Sequence, residues 1–169
     1  MGAGLTLADL LQPAFFALML ASLGLALWKG GEPERAGALV LVAMWALQSL
    51  GVNFLPSRFI AVDPVAFLSD LVGTLGFGAI ALNARRFWPL CATALQVLSL
   101  SAHFARWADL AIPKLVYALM RSGPTFVVLS VLLIGTVLHL RRLHRDGVDR
   151  SWQDWSRGAA RSGRQVAGR

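Results

Sequence analysis

Five runs of predominantly apolar residues, each near the length needed to cross a bilayer, constrain this chain more than any motif does. A hydrocarbon core about 30 Å thick and a rise of about 1.5 Å per residue demand roughly 20 apolar residues per spanning helix. The runs cover residues 10–28, 36–55, 65–82, 88–110 and 115–140. They are uniformly apolar rather than alternating, which argues against a membrane β-barrel. Pro13, Pro64, Pro89 and Pro113 stand near run ends, where a missing N–H is tolerated. Arg121 and Pro124 leave the entry of the fifth run open: Pro124 either kinks a helix or begins it. Composition agrees with this picture. Hydrophobic residues make up 56% of the 169, charged residues only 15%, and the mean hydropathy is +0.60. A soluble domain carries about 25% charged residues. A disordered chain is excluded by the same numbers, and a disulfide scaffold by the lone Cys91, expected to be a small buried hydrophobe. The expected fold is all-α: a polytopic transmembrane bundle over residues 1–140, followed by a basic tail over residues 141–169.

Basic residues give the expected orientation. With five spans, one side collects Lys29, Arg35, Arg85, Arg86 and the eight arginines from Arg141 to Arg169, twelve in all. The other side collects four: Arg58, Arg106, Lys114 and Arg121. The excess puts the C-terminus in the cytoplasm and the N-terminus outside. Residues 1–12 carry no Lys or Arg, so the first run reads as a retained span rather than a signal peptide. Trp28, Trp88 and Trp107 fall at the expected interfaces, while Trp45 lies deeper and is expected to pack inside.

An ionisable residue within a span marks a functional site by default, because it must be paired or hydrated. Asp70, His103 and Arg106 are such residues, and counting from the span ends places all three in one layer in the outer half. The expectation is an Asp70–Arg106 ion pair with His103 a turn deeper. Gln96, Ser99, His103 and Arg106 recur along one face of the fourth span. Gln48 and Asn53 of the second span and Tyr117 of the fifth are placed to complete the cluster. Polar side chains in bundles commonly only join helices, at about 0.6 kcal/mol each, and that reading outweighs a proton path or a ligand site here. On the third span, Ser69 with Gly73 and Thr74 with Gly78 are small residues four apart that permit close helix packing, within the bundle or against another chain.

The tail sets Trp152 and Trp155 among Arg150, Arg157 and further arginines. That pattern suits a short helix on an anionic membrane surface. No nucleic-acid module accompanies it, so nucleic acid is an unlikely partner. His103 and His139 stand at opposite depths, which argues against a shared haem, and no metal-ligand spacing or catalytic motif occurs. No cofactor is predicted.

The stretch from Ala84 to Arg106, with Arg86, Trp88, Pro89, Gln96 and His103, resembles uncharacterised small multi-pass inner-membrane proteins of bacteria, chiefly alphaproteobacteria. The resemblance implies a bacterial inner membrane and no particular activity. The expected role is a non-catalytic accessory or assembly subunit, with partners in the lipid bilayer, in another membrane protein or in a second copy through the third helix. A small transporter or proton path using the polar cluster is the first alternative; a membrane enzyme or quinone-, lipid- or haem-binding subunit is the second.

Overall fold

The structure, a computed structural model, describes residues 7–54, 63–108, 114–147, 149, 152 and 153. These residues form five helices: α1 (Leu7–Lys29), α2 (Glu32–Phe54), α3 (Pro64–Asn83), α4 (Trp88–Trp107) and α5 (Lys114–Asp146). Among the described residues no strand occurs, only an isolated bridge between Ala84 and Trp152. The elements match the five expected runs closely, with two informative extensions. Helix α2 begins four residues early and takes in Glu32, Glu34 and Arg35. Helix α5 is 33 residues long, about 50 Å, and passes residue 140 to end at Asp146. It also runs unbroken through Pro124, so the proline begins nothing.

Local signals place the ends. Pro64 opens α3, and the Asp63 carboxylate caps it by accepting the Val65 and Ala66 N–H groups. Gly30 and Gly31 turn the chain between α1 and α2. Gly147 ends α5 in the left-handed region, φ 71°, its N–H bonded to Leu143 O at 3.0 Å. That turn sends the chain back over the bundle. Gln153 N–H then bonds to Asn83 O at 2.7 Å.

Each helix packs on its neighbours in the chain, and α5 closes the ring on α1. Small residues let the backbones approach. The Trp88 indole lies in a slot between Gly37 of α2 and Gly135 of α5; a Cβ on Gly135 would meet Trp88 Cδ1 at 2.6 Å. Gly73 faces Gln96 and Met44, and Gly76 faces Val40. Ser22 Oγ of α1 reaches Leu129 O of α5 at 3.0 Å. Of the small pairs expected on α3, Ser69 and Gly73 are buried within the bundle. Thr74 bonds its own helix at Asp70 O, and Gly78 makes only ordinary contact with Thr93.

Large apolar side chains cover the outside of the bundle as well as filling its core. Every helix turns large ones outward: Leu20 on α1, Leu39 on α2, Leu75 on α3, Val97 on α4, Ile134 on α5. Among the fully buried residues are Ser22, Glu34, Ser69, Gln96, Ser99, His103 and Thr136. Two tryptophan expectations reverse. Trp88 is a core residue, since its ring fills the glycine slot, whereas Trp45 is 57% exposed on the outer face of α2. Cys91 is half-buried. By length and composition, three stretches are apolar enough to cross a membrane: Gln12–Lys29, Pro64–Asn83 and Gly123–Asp146. Helices α2 and α4 carry much of the polar interior.

The glycine slot gives a direct test. Gly135→Val forces a branched side chain against Trp88 and is expected to destabilise the bundle by about 1–3 kcal/mol. Thermal unfolding in detergent reads this, with Gly123→Val, where a Cβ meets nothing within 4 Å, as the control.

Candidate functional site

The structure gathers its buried polar groups into two clusters. The first lies between α2, α3 and α4. Asp70 Oδ2 accepts a hydrogen bond from Ser99 Oγ at 2.8 Å and stands 3.0 Å from His103 Nε2. Ser69 Oγ donates to Met44 O at 3.2 Å and accepts from Gln48 Nε2 at 3.2 Å. Gln96 Nε2 lies 3.0 Å from Met44 Sδ. Two buried atoms have no hydrogen-bond partner, Gln96 Oε1 and His103 Nδ1. Phe67 meets the His103 ring edge-on and also packs on Trp107, closing the cluster from the end of α4.

Asp70, Gln96, Ser99 and His103 therefore come together as expected, with Gln48 at the edge. The expected Asp70–Arg106 pair does not form. Asp70 is level with the turn between Ser99 and His103, so its carboxylate is taken by those two residues. Arg106 lies further toward the helix end and is exposed there. The side chains of Asn53 and Tyr117 lie outside the described residues. Ser99 Oγ and His103 Nε2 both address the same carboxylate oxygen, Asp70 Oδ2.

The second cluster was not expected from the sequence. It sits where α1 and α3 end and α2 and α4 begin, at the end rich in arginine. Glu34 is fully buried; its Oε1 accepts from Trp88 Nε1 at 3.0 Å. Arg86 Nε stands 3.5 Å from the same oxygen, and Arg86 Nη2 donates to Asp149 Oδ2 at 2.5 Å. His139 Nδ1 lies 2.7 Å and Arg142 Nε 3.4 Å from Asp149 Oδ2. One carboxylate oxygen beyond α5 thus draws on the α3–α4 loop and on two positions of α5. Trp152, expected on an interfacial helix, instead bridges Ala84 and donates its ring N–H to Glu32. Arg150, Trp155 and Arg157 lie outside the described residues.

The α5 extension carries His139 and Arg142 to this end, and Gly147 returns Asp149 to them. The sequence signal was present but faint: Glu34, between Pro33 and Arg35, stands at a span entrance where charges are normally solvated. His103 and His139 belong to different clusters. Trp88 packs on Gly135, one turn before His139, while His103 lies 15 residues further along α4, about 22 Å. Among the described residues no group of three or more His, Cys, Asp or Glu is placed to hold a metal ion.

Burial would push the Asp149 carboxyl up, but hydrogen bonds from His139 and Arg86, with the charges of Arg86 and Arg142, outweigh it and hold it below the usual carboxylate range. A carboxyl lowered on folding stabilises the docked tail above its unfolded value of 3.8, and that contribution is lost as pH falls through the folded value below it. Protection of the Gln153 amide, its exchange rate taken relative to the free chain at the same pH, is therefore expected to fall below about pH 3.8. Asp149→Asn is expected to lower it already at neutral pH. An unchanged amide in Asp149→Asn would show that the tail docks without the ion network.

No protein-family model, curated protein or solved structure matches the chain.

Proposed function

We propose that the chain is a five-span integral membrane protein of the bacterial inner membrane that acts as a non-catalytic accessory or assembly subunit. The observation that carries the reading is the set of large apolar side chains that every helix turns outward, around a core that also holds polar residues. Helices α2 and α4 are not among the three stretches apolar enough to cross by length and composition, and they carry the buried polar residues Glu34, Gln96, Ser99 and His103. Their outer faces still expose Leu39, Trp45, Leu50, Leu90, Val97 and Phe104. In water such surfaces would be patches far beyond those of soluble monomers. Lipid on all sides suits them, since within the five helices the backbone groups bond along the helix and leave side chains to meet the surroundings. The arginine-rich end then faces the cytoplasm and the N-terminus lies outside.

A subunit role is favoured over transport by what separates the clusters. Phe77, Trp88, Leu41, Leu129 and Leu132 form a buried apolar layer between Asp70–His103 and Glu34–Arg86–Asp149. A proton or ion path needs a wet or bonded chain through that layer, and none of these residues supplies one. A proton path is the second reading, favoured by the unpartnered Gln96 Oε1 and His103 Nδ1.

Reporter fusions at the two termini are expected to place the N-terminus outside and the C-terminus in the cytoplasm; termini on the same side would remove the five-span reading. Purification in a mild detergent is expected to bring a stoichiometric membrane-protein partner or a defined homo-oligomer. A colourless, partner-free monomer whose His103→Ala variant abolishes proton flux in vesicles would replace the subunit role with transport.

A further inference from the structure

Three donors of the bundle converge on one oxygen of the C-terminal segment. Arg86 Nη2 stands 2.5 Å, His139 Nδ1 2.7 Å and Arg142 Nε 3.4 Å from Asp149 Oδ2. Arg86 and His139 are nearly enclosed, with side chains 5 and 8% exposed. The receptor belongs to the α3–α4 loop and α5, and the segment past Gly147 supplies only the carboxylate.

That carboxylate fits its receptor poorly. One oxygen offers about two lone pairs to three donors, while among the described residues Oδ1 accepts none. Arg86 Nε is a further buried donor without a hydrogen-bond partner. A phosphate group presents three acceptor oxygens, one for each converging donor. Charge agrees. With Asp149 set aside, Arg86 and Arg142 bring two positive charges against the one negative charge of Glu34. Exposed Arg85 and Arg141 stand beside them in the chain, and Glu32 lies further out, bonded to Trp152. The receptor therefore calls for one negative charge, that of a phosphodiester or a singly ionised phosphate.

The segment itself is held by polar contacts. No described residue past Gly147 belongs to the apolar core, and Trp152 is 36% exposed. Its fastenings are the Asp149 ion pairs, the Trp152–Glu32 bond and the Gln153–Asn83 backbone bond. Segments with few buried apolar contacts open at low cost.

We propose that Arg86, His139 and Arg142 form a binding site for a phosphate-type oxyanion, which Asp149 occupies in cis and yields when such a ligand arrives. Ligand entry then frees the C-terminal segment. Inorganic phosphate and the phosphodiester of an anionic lipid share this chemistry. The site stands without the membrane reading; only the lipid source rests on it.

The full chain in a mild detergent tests this. Protection of the Gln153 amide reports the segment, and nitrogen-15 signals of the His139 ring, assigned with His139→Gln, report the site. Inorganic phosphate is expected to lower the protection and shift the ring signals where sodium chloride of equal ionic strength does neither. The same changes in phosphatidylcholine vesicles on adding phosphatidylglycerol, without a response to inorganic phosphate, would identify a lipid headgroup as the ligand. Asp149→Asn lacks the tethered competitor and is expected to bind the responding anion about tenfold more tightly. Arg142→Gln, at a partly exposed position that leaves the Glu34–Arg86 pair intact, is expected to bind it about tenfold more weakly. No response of the unmodified chain to phosphate or phosphatidylglycerol overturns the proposal. Binding confined to Asp149→Asn overturns it too, because Asp149 then never yields.

Discussion

A carboxylate taken out of water needs donors and a counter-charge, and Glu34 draws both from parts of the chain distant in sequence. Trp88 supplies an N–H and Arg86 a guanidinium, so the start of α4 and the loop before it are fixed against the start of α2. The indole that makes the bond is the same ring that Gly37 and Gly135 enclose. Helices α2, α4 and α5 therefore meet around one side chain, and its orientation is set by one hydrogen bond. Arg86 extends the connection to Asp149, and Asp149 brings in His139, Arg142 and the tail. Removing one member of such a network leaves its partners buried and uncompensated, at about 3–5 kcal/mol.

The two polar clusters differ in kind. Around Asp70 the contacts run between helices that are sequence neighbours, and they set the relative rotation of α2, α3 and α4 within the bundle. Around Glu34 the contacts join both ends of the chain to its middle. Between them lies the apolar layer of Phe77, Trp88, Leu41, Leu129 and Leu132. In the membrane setting proposed above, the hydrophobic effect would not press helices together, and these hydrogen bonds and glycine contacts would carry the association. The proposed subunit role fits a bundle whose internal polar groups are mostly spent on one another.

Much of the fold was legible because long apolar runs read as helices, and the five runs coincide with the five helices, three of which are apolar enough to cross a membrane. The face bearing Gln96, Ser99 and His103 was legible for the same geometric reason, since helical periodicity is a property of the sequence alone. The partner of Asp70 was not. Depth counted from span ends is uncertain by about a turn, and one turn separates His103 from Arg106. The Glu34 cluster was hidden more deeply. Glu34 and Arg86 stand at span ends, where charges ordinarily mark the membrane boundary, and nothing local distinguishes a buried boundary charge from a solvated one. Trp88 was misplaced by the same habit: an aromatic at a boundary reads as a belt residue until Gly37 and Gly135 are seen on either side of it. Asp149 required knowledge of a turn at Gly147 that sends the chain backward.

The burial of Arg86 bears on orientation as well. A positive-inside argument counts residues that resist translocation because they stay hydrated. Arg86 is enclosed between Glu34 and Asp149 and acts there as a counter-charge, and Arg142 is partly committed to Asp149. Both can be struck from the count. Among the described residues, Lys29, Arg35, Arg85, Arg141 and Arg145 remain, all exposed at the same end, and Arg106 is exposed at the other. The asymmetry survives without the buried members, so the proposed cytoplasmic placement of this end does not depend on residues whose charge is already cancelled inside the protein.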